Sequence, residues 1–288
     1  MAALSTQLIV LTVILVFIGF VLFFSLLQFL MSIHPPRFYE SNTPKDYGLL
    51  YENASFTTSD KINIKGWLIT SETAKGTVIV GHGYPFDKGN ILPVAKFLYP
   101  DYNLLFYDHR YFGESSGSIT TVGFREVEDV KAAINFVHEK FGKNKSVALY
   151  GFSLSASAML MAKPEVNAII ADSPYADLEK MITHVYRIFG PFKFPFVLTT
   201  KALSNIFLKL DPKKVSPALA IKNTSIPILL IHGEKDTQIP VENAYALKES
   251  NPNIELWIVK GADHGQAHFY NKNEYEKRVK DFLKKHME

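Results

Sequence analysis

Three residue types that together make an acyl-transfer catalyst stand just past the ends of apolar runs in this chain. Ser153 follows "SVALYG" (146–151), Asp236 follows "IPILLIHG" (226–233), and His264 follows "IELWIVKG" (254–261). A serine hydroxyl is a weak nucleophile at its own pKa, so it needs a base near neutrality, and that base needs a partner to hold its tautomer. Ser153, His264 and Asp236 can fill those three roles. Competitors lie close by: Ser155 and Ser157 as hydroxyls, Asp172 and Asp177 as acids, and His268 as a spare base.

Such residues meet only if the runs before them are neighbouring strands. "INIKGWLI" (62–69), "TVIVGHG" (77–83), "NLLFYD" (103–108) and "NAIIADS" (167–173) continue the series. Helical stretches alternate with the runs. One is 127–141, where Val130, Ala133, Ile134 and Val137 fall on one face. Near-continuous apolar strands separated by helices predict an α/β fold, a mostly parallel sheet covered on both sides. Sites in such sheets form at the carboxyl ends of the strands, where the three residues stand. The alternation fails between 178 and 210, a Phe-rich stretch interrupted by Pro191 and Pro195. An insertion of that length reads as a small helical cap.

With "GFSLS" at 151–155, "HGEKDTQIP" at 232–240 and "GADHG" at 261–265, the chain resembles the alpha/beta-hydrolase superfamily of serine hydrolases, which include esterases, lipases and serine aminopeptidases. "YDHRYFGESSG" (107–117) is similar to that superfamily's D-x-R-G-x-G-x-S-x-G stretch, with Tyr111 and Phe112 departing from it. The order Ser, Asp, His is the superfamily's own. The resemblance implies a nucleophile on a sharp strand-to-helix elbow, where residues two before and two after must be small. Ser153 has Gly151 in the required place and Ser155 does not, so Ser153 is the expected nucleophile. Asp236 is the expected acid because it sits in the fuller motif. The resemblance also implies an oxyanion hole from the backbone N–H groups of Leu154 and Tyr84. His82 is expected to brace the oxyanion loop, His109 and His232 to satisfy local backbone, and His268 to be a surface or cap contact. No ligand spacing recurs among these histidines, so no metal site is expected, and nothing calls for a cofactor.

Composition narrows the class. The chain has 288 residues, a net charge of +3 with no basic stripe, and no cysteine. A nucleic-acid partner is therefore not expected, and disulfides, thiol catalysis and thiolate metal sites are excluded. Residues 8–31 carry no charged side chain. As a helix they would extend about 36 Å, enough for a hydrocarbon core of about 30 Å. No basic residue precedes the stretch, and no small-residue cleavage site follows it, which favours a retained single-pass anchor over a signal peptide. Arg37 and Lys45 follow it, so the positive-inside tendency puts the catalytic body in the cytoplasm. The expected organisation is an anchor at 1–33, a linker at 34–53, and a hydrolase domain at 54–288 with a cap at about 176–215.

These readings converge on a membrane-anchored serine hydrolase acting on small-molecule or lipid-like carboxylic esters through an acyl-enzyme. Phe192, Phe194 and Phe196 of the cap are expected to line an acyl pocket. Thioesterase or peptidase action would use the same triad, and a non-catalytic membrane scaffold could keep the same fold.

Overall fold

The computed structural model describes residues 2–288, with side chains from Ser5 onward. Two units emerge, one built from the chain up to His34 together with Leu178–Val215, the other from Pro35–Asp177 and Ser216–Glu288.

The larger unit is built on eight strands: β1 (Glu52–Thr57), β2 (Asn63–Ile69), β3 (Thr77–Gly81), β4 (Asn103–Tyr107), β5 (Val147–Phe152), β6 (Ala168–Asp172), β7 (Ile228–Gly233) and β8 (Glu255–Val259). Their order across the sheet is β1-β2-β4-β3-β5-β6-β7-β8. The first two are antiparallel to their neighbours and the rest run parallel. β3, β4, β5, β6 and β7 are buried on both faces nearly throughout, as the unbroken apolar runs demand. Alternate residues feed two cores: Ile79 and Leu149 pack on one side, Val78, Val80 and Tyr150 on the other.

β1 has no counterpart among the apolar runs, and its first two residues fall in the stretch expected to be linker. Only Ala54 and Phe56 of this edge strand point inward, so it lacks the signal that marked the others. The helix Glu126–Phe141 buries Val130, Ala133, Ile134 and Val137 as the spacing predicted.

Register aligns the strand ends that matter. Gly81 lies beside Gly151, Phe152 beside Asp172, Asp172 beside Ile231, and Gly233 beside Val259. The residues that follow β3, β5, β7 and β8 therefore emerge along one edge.

The smaller unit pairs the apolar helix α1 (Ala2–Ile33) with a helical insertion. The insertion is not one straight helix. Gly190, at φ 52, breaks it before Pro191, and a new helix runs Lys193–Leu203. Pro195 is tolerated in that helix's first turn because no N–H is needed there. Phe196 stacks on Phe189 at 4.2 Å between ring centroids. It also meets Phe20 and Phe24 of α1 edge-on at 5.9 and 5.8 Å.

Candidate active site

β5 delivers Ser153 into a turn at φ 53 and ψ −109, and the helix Leu154–Met161 starts at the next residue. That strained geometry for a non-glycine residue lifts the hydroxyl off the end of the sheet. It demands a glycine at 151, where a Cβ would lie 2.6 Å from the Ala156 nitrogen and 2.7 Å from the Met159 sulfur.

Ser153 Oγ lies 3.1 Å from His264 Nε2, and His264 Nδ1 lies 2.7 Å from Asp236 Oδ2. The other Asp236 oxygen accepts the N–H groups of Ile239 at 2.7 Å and Gln238 at 3.0 Å, which hold the carboxylate in its orientation toward His264. With Nδ1 donating to Asp236, Nε2 is free to accept the serine proton. The His264 ring lies 5.1 Å from that of Phe152. His232 backs Asp236, its Nε2 2.8 Å from the Ile239 carbonyl and 3.4 Å from Asp236 Oδ2. Burial lowers its pKa, so it stays neutral.

Of the alternative acids, Asp172 is buried and its carboxylate oxygens accept the Tyr275 hydroxyl at 2.7 Å and the Ser173 hydroxyl at 2.9 Å. It faces the cavity beside the site but makes no bond to His264. Burial raises its pKa against those two bonds.

The loop after β3 packs on the elbow: a Cβ on Gly83 would lie 3.3 Å from Ser153 Cβ. His82 braces that loop. Its Nε2 accepts the His109 N–H at 3.0 Å, so Nδ1 carries the proton and donates to the Gly83 carbonyl at 2.9 Å. Burial keeps the ring's pKa well below the ordinary value, so it stays neutral, and the two hydrogen bonds select this tautomer. Tyr84, next in the loop, turns its ring toward Phe112 and the cavity.

A cavity of about 550 Å³ adjoins His264. Tyr84, Phe86, Ile91, Val94 and Phe152 give it an apolar lining, with Asn90, Asp172, Gln238 and His268 among the polar residues that share it. The residues lining this cavity do not include the three phenylalanines expected to line an acyl pocket. Phe196 is buried in the aromatic cluster of the smaller unit, and Phe192 and Phe194 are exposed. Alternating aromatics do not say which rings are covered, or by what. His268 also differs from expectation, being buried, stacked at 6.3 Å on Phe97, and part of the cavity lining. Among the described residues no group of three or more His, Asp or Glu is placed to hold a metal ion.

The sheet order, the elbow and the serine–histidine–aspartate line together define an alpha/beta hydrolase. The chain belongs to the prolyl oligopeptidase family, whose model matches residues 119–288. Protein YqkD of Bacillus subtilis is 29% identical over 77% of this chain and 75% of its own. Human alpha/beta hydrolase domain-containing protein 17B is 30% identical over 74% of this chain and 68% of its own. Among solved structures, an esterase of Pyrococcus furiosus superposes with a TM-score of 0.75 at 30% identity, covering 89% of this chain and 99% of that one.

Proposed function

We propose that this chain is a membrane-anchored serine hydrolase that cleaves carboxylic esters of apolar acyl chains through an acyl-enzyme. The observation that carries the reading is the placing of Ser153, His264 and Asp236 at 3.1 and 2.7 Å beside an apolar cavity. Ser153 Oγ attacks the ester carbonyl as His264 Nε2 takes its proton. His264 then returns the proton to the leaving alcohol, and water releases the acid by the same steps in reverse roles. Asp236 holds the imidazole and stabilises its charged form. The N–H groups of Leu154 and Tyr84 receive the oxyanion, a donor of that kind contributing about 3 kcal/mol.

The likeness to the Pyrococcus furiosus esterase supports ester over amide substrates. The family's name favours a peptidase, and matched ester and amide substrates separate the two. Anchoring rests on α1, whose residues Ser5–Ile33 are long and apolar enough to cross a membrane.

The test is labelling of the full-length protein with a fluorophosphonate probe. Wild type should label and Ser153→Ala should not. A folded wild type that stays unlabelled would return the reading to a non-catalytic scaffold.

A further inference from the structure

The helical insertion packs on the very part of α1 that any membrane span must contain. A span needs about 20 residues, and the apolar helix runs Ser5–Ile33. Every window of that length within it includes residues 14–24. Phe20, Val21 and Phe24 lie in that common stretch, and all three pack against the insertion. Phe24 meets Phe189 at 5.3 Å and Phe196 at 5.8 Å, Phe20 meets Phe196 at 5.9 Å, and Val21 is buried with Tyr186 and Val197. One turn on, the Ser25 hydroxyl donates to the Phe196 carbonyl at 3.5 Å. Wherever α1 sits in a bilayer, the insertion goes with it to that depth.

The insertion's own surface fits such a place. Ile188, Phe192, Phe194, Leu198, Ile206 and Phe207 are each between 59% and 74% exposed. Exposed apolar side chains in this number mark an interaction surface. From Val185 to Leu210 there is no Asp or Glu, while Arg187, Lys193 and Lys209 are present, and Lys201 is ion-paired with Glu179 at the start of the insertion. Large apolar side chains in a stretch of chain without acids, with cations at Arg187, Lys193 and Lys209, suit the boundary between acyl chains and anionic headgroups. There the long basic stems keep their charges at the polar level while the rings enter the hydrocarbon.

We infer that the insertion is a membrane-embedded element, docked along α1 and seated in one leaflet with Ile188, Leu198, Ile206 and their neighbours in contact with lipid. The inference rests on the reading of α1 as an anchor, and the occupant of the apolar face is the bilayer itself.

The chain has no cysteine, so single introduced thiols report one position each. The full-length protein is reconstituted into nanodiscs of phosphatidylcholine and phosphatidylglycerol, carrying an environment-sensitive fluorophore at Ile188→Cys, Leu198→Cys or Ile206→Cys. Leu15→Cys in α1 reports the anchor, and Lys143→Cys, exposed in the larger unit, reports water. Nitroxide-labelled lipids are then added to the bilayer. Labels at 188, 198 and 206 should emit to the blue of the Lys143 label and lose most of their emission to the nitroxides, as the Leu15 label does. Insertion labels that stay unquenched while Leu15 is quenched overturn the inference and leave the anchor standing. That includes the case in which a second copy of the chain, rather than lipid, covers the face. An unquenched Leu15 overturns the anchor independently of what the insertion labels report.

Discussion

Ser155 Oγ and His109 Nε2 lie 2.9 Å apart in a fully buried place, and His109 Nδ1 lies 3.2 Å from Asp129. This is a second serine–histidine–aspartate line two residues from Ser153, closed to solvent. It explains why the elbow carries a serine at 155, where a glycine is usual. Gly81 of the neighbouring strand leaves the room, since a Cβ there would fall 1.8 Å from Ser155 Oγ. His109 supplies the hydroxyl's partner.

That fit makes the effects of Gly81 and Ser155 non-additive. Gly81→Ala alone should cost about 1–3 kcal/mol through overpacking. In a Ser155→Gly background the same change should cost much less, because the Ser155 atoms it strikes are gone and only the flexible Met159 methyl is left close, at 3.2 Å. Chemical denaturation of the four proteins of the cycle checks this, and equal costs in both backgrounds would mean the contact is easily relieved. Ser155→Ala should lose about 1 kcal/mol by removing the shorter of the two hydrogen bonds to His109 Nε2, the Tyr107 hydroxyl remaining at 3.4 Å, with ester turnover kept within a few-fold.

Ser153→Ala and His264→Ala should each lower ester kcat by several orders of magnitude, and Asp236→Asn by about 10⁴ or somewhat less, without loss of folding. Asp172→Asn should leave turnover within about tenfold of wild type, because its carboxyl bonds Tyr275 and Ser173 and not His264. A collapse of kcat in Asp172→Asn with Asp236→Asn still active would reverse the choice of acid.

Acid should destabilise the hydrolase unit through its buried histidines. His82 and His232 have folded pKa values below the ordinary 6.5. Below pH 6.5 the unfolded chain binds protons that the folded rings refuse. Their contribution is therefore complete above that pH and is lost as the pH falls toward the folded values. Each ring adds up to about 1.4 kcal/mol per pH unit in that window. Urea midpoints from pH 7.5 to 5.0 should fall, and His232→Gln, which can still donate to the Ile239 carbonyl, should flatten the slope.

Catalytic efficiency should rise with acyl length until the cavity is full, each methylene contributing up to about 0.8 kcal/mol. Val94→Phe should shift the optimum to shorter chains by occupying the cavity. Phe192→Ala with Phe194→Ala should leave the profile in place, since neither ring lines it. A series of p-nitrophenyl esters read on all three proteins decides, and a wild type fastest on acetate would remove the apolar-acyl preference.

Full-length protein should stay with membranes through high salt and carbonate, because burial of a span is insensitive to screening. Removing residues 1–33 should reduce that resistance to what the insertion alone provides. It should also create a need for detergent, because Phe189 and Phe196 lose the Phe20 and Phe24 rings that cover them. A truncated protein that is monodisperse in plain buffer would show that the insertion can close on itself.

Local pattern was enough to read the elbow at Gly151 and Ser153, the helix face of Val130 and Val137, the apolar helix and the succession of buried strands. Each is set by residues within a turn or two of one another. Three features depended on the tertiary structure, for one physical reason: their partners are distant in sequence. β3 lies between β4 and β5, and only that order brings Gly81, His109 and Ser155 into one contact. Phe196 finds its place on α1 more than 170 residues away, so one ring of the aromatic run is core while Phe192 and Phe194 stay exposed. His268 is buried because Phe97 and Tyr275 close around it. Periodicity states that a side chain will be covered, and the path of the chain through the sheet decides what covers it.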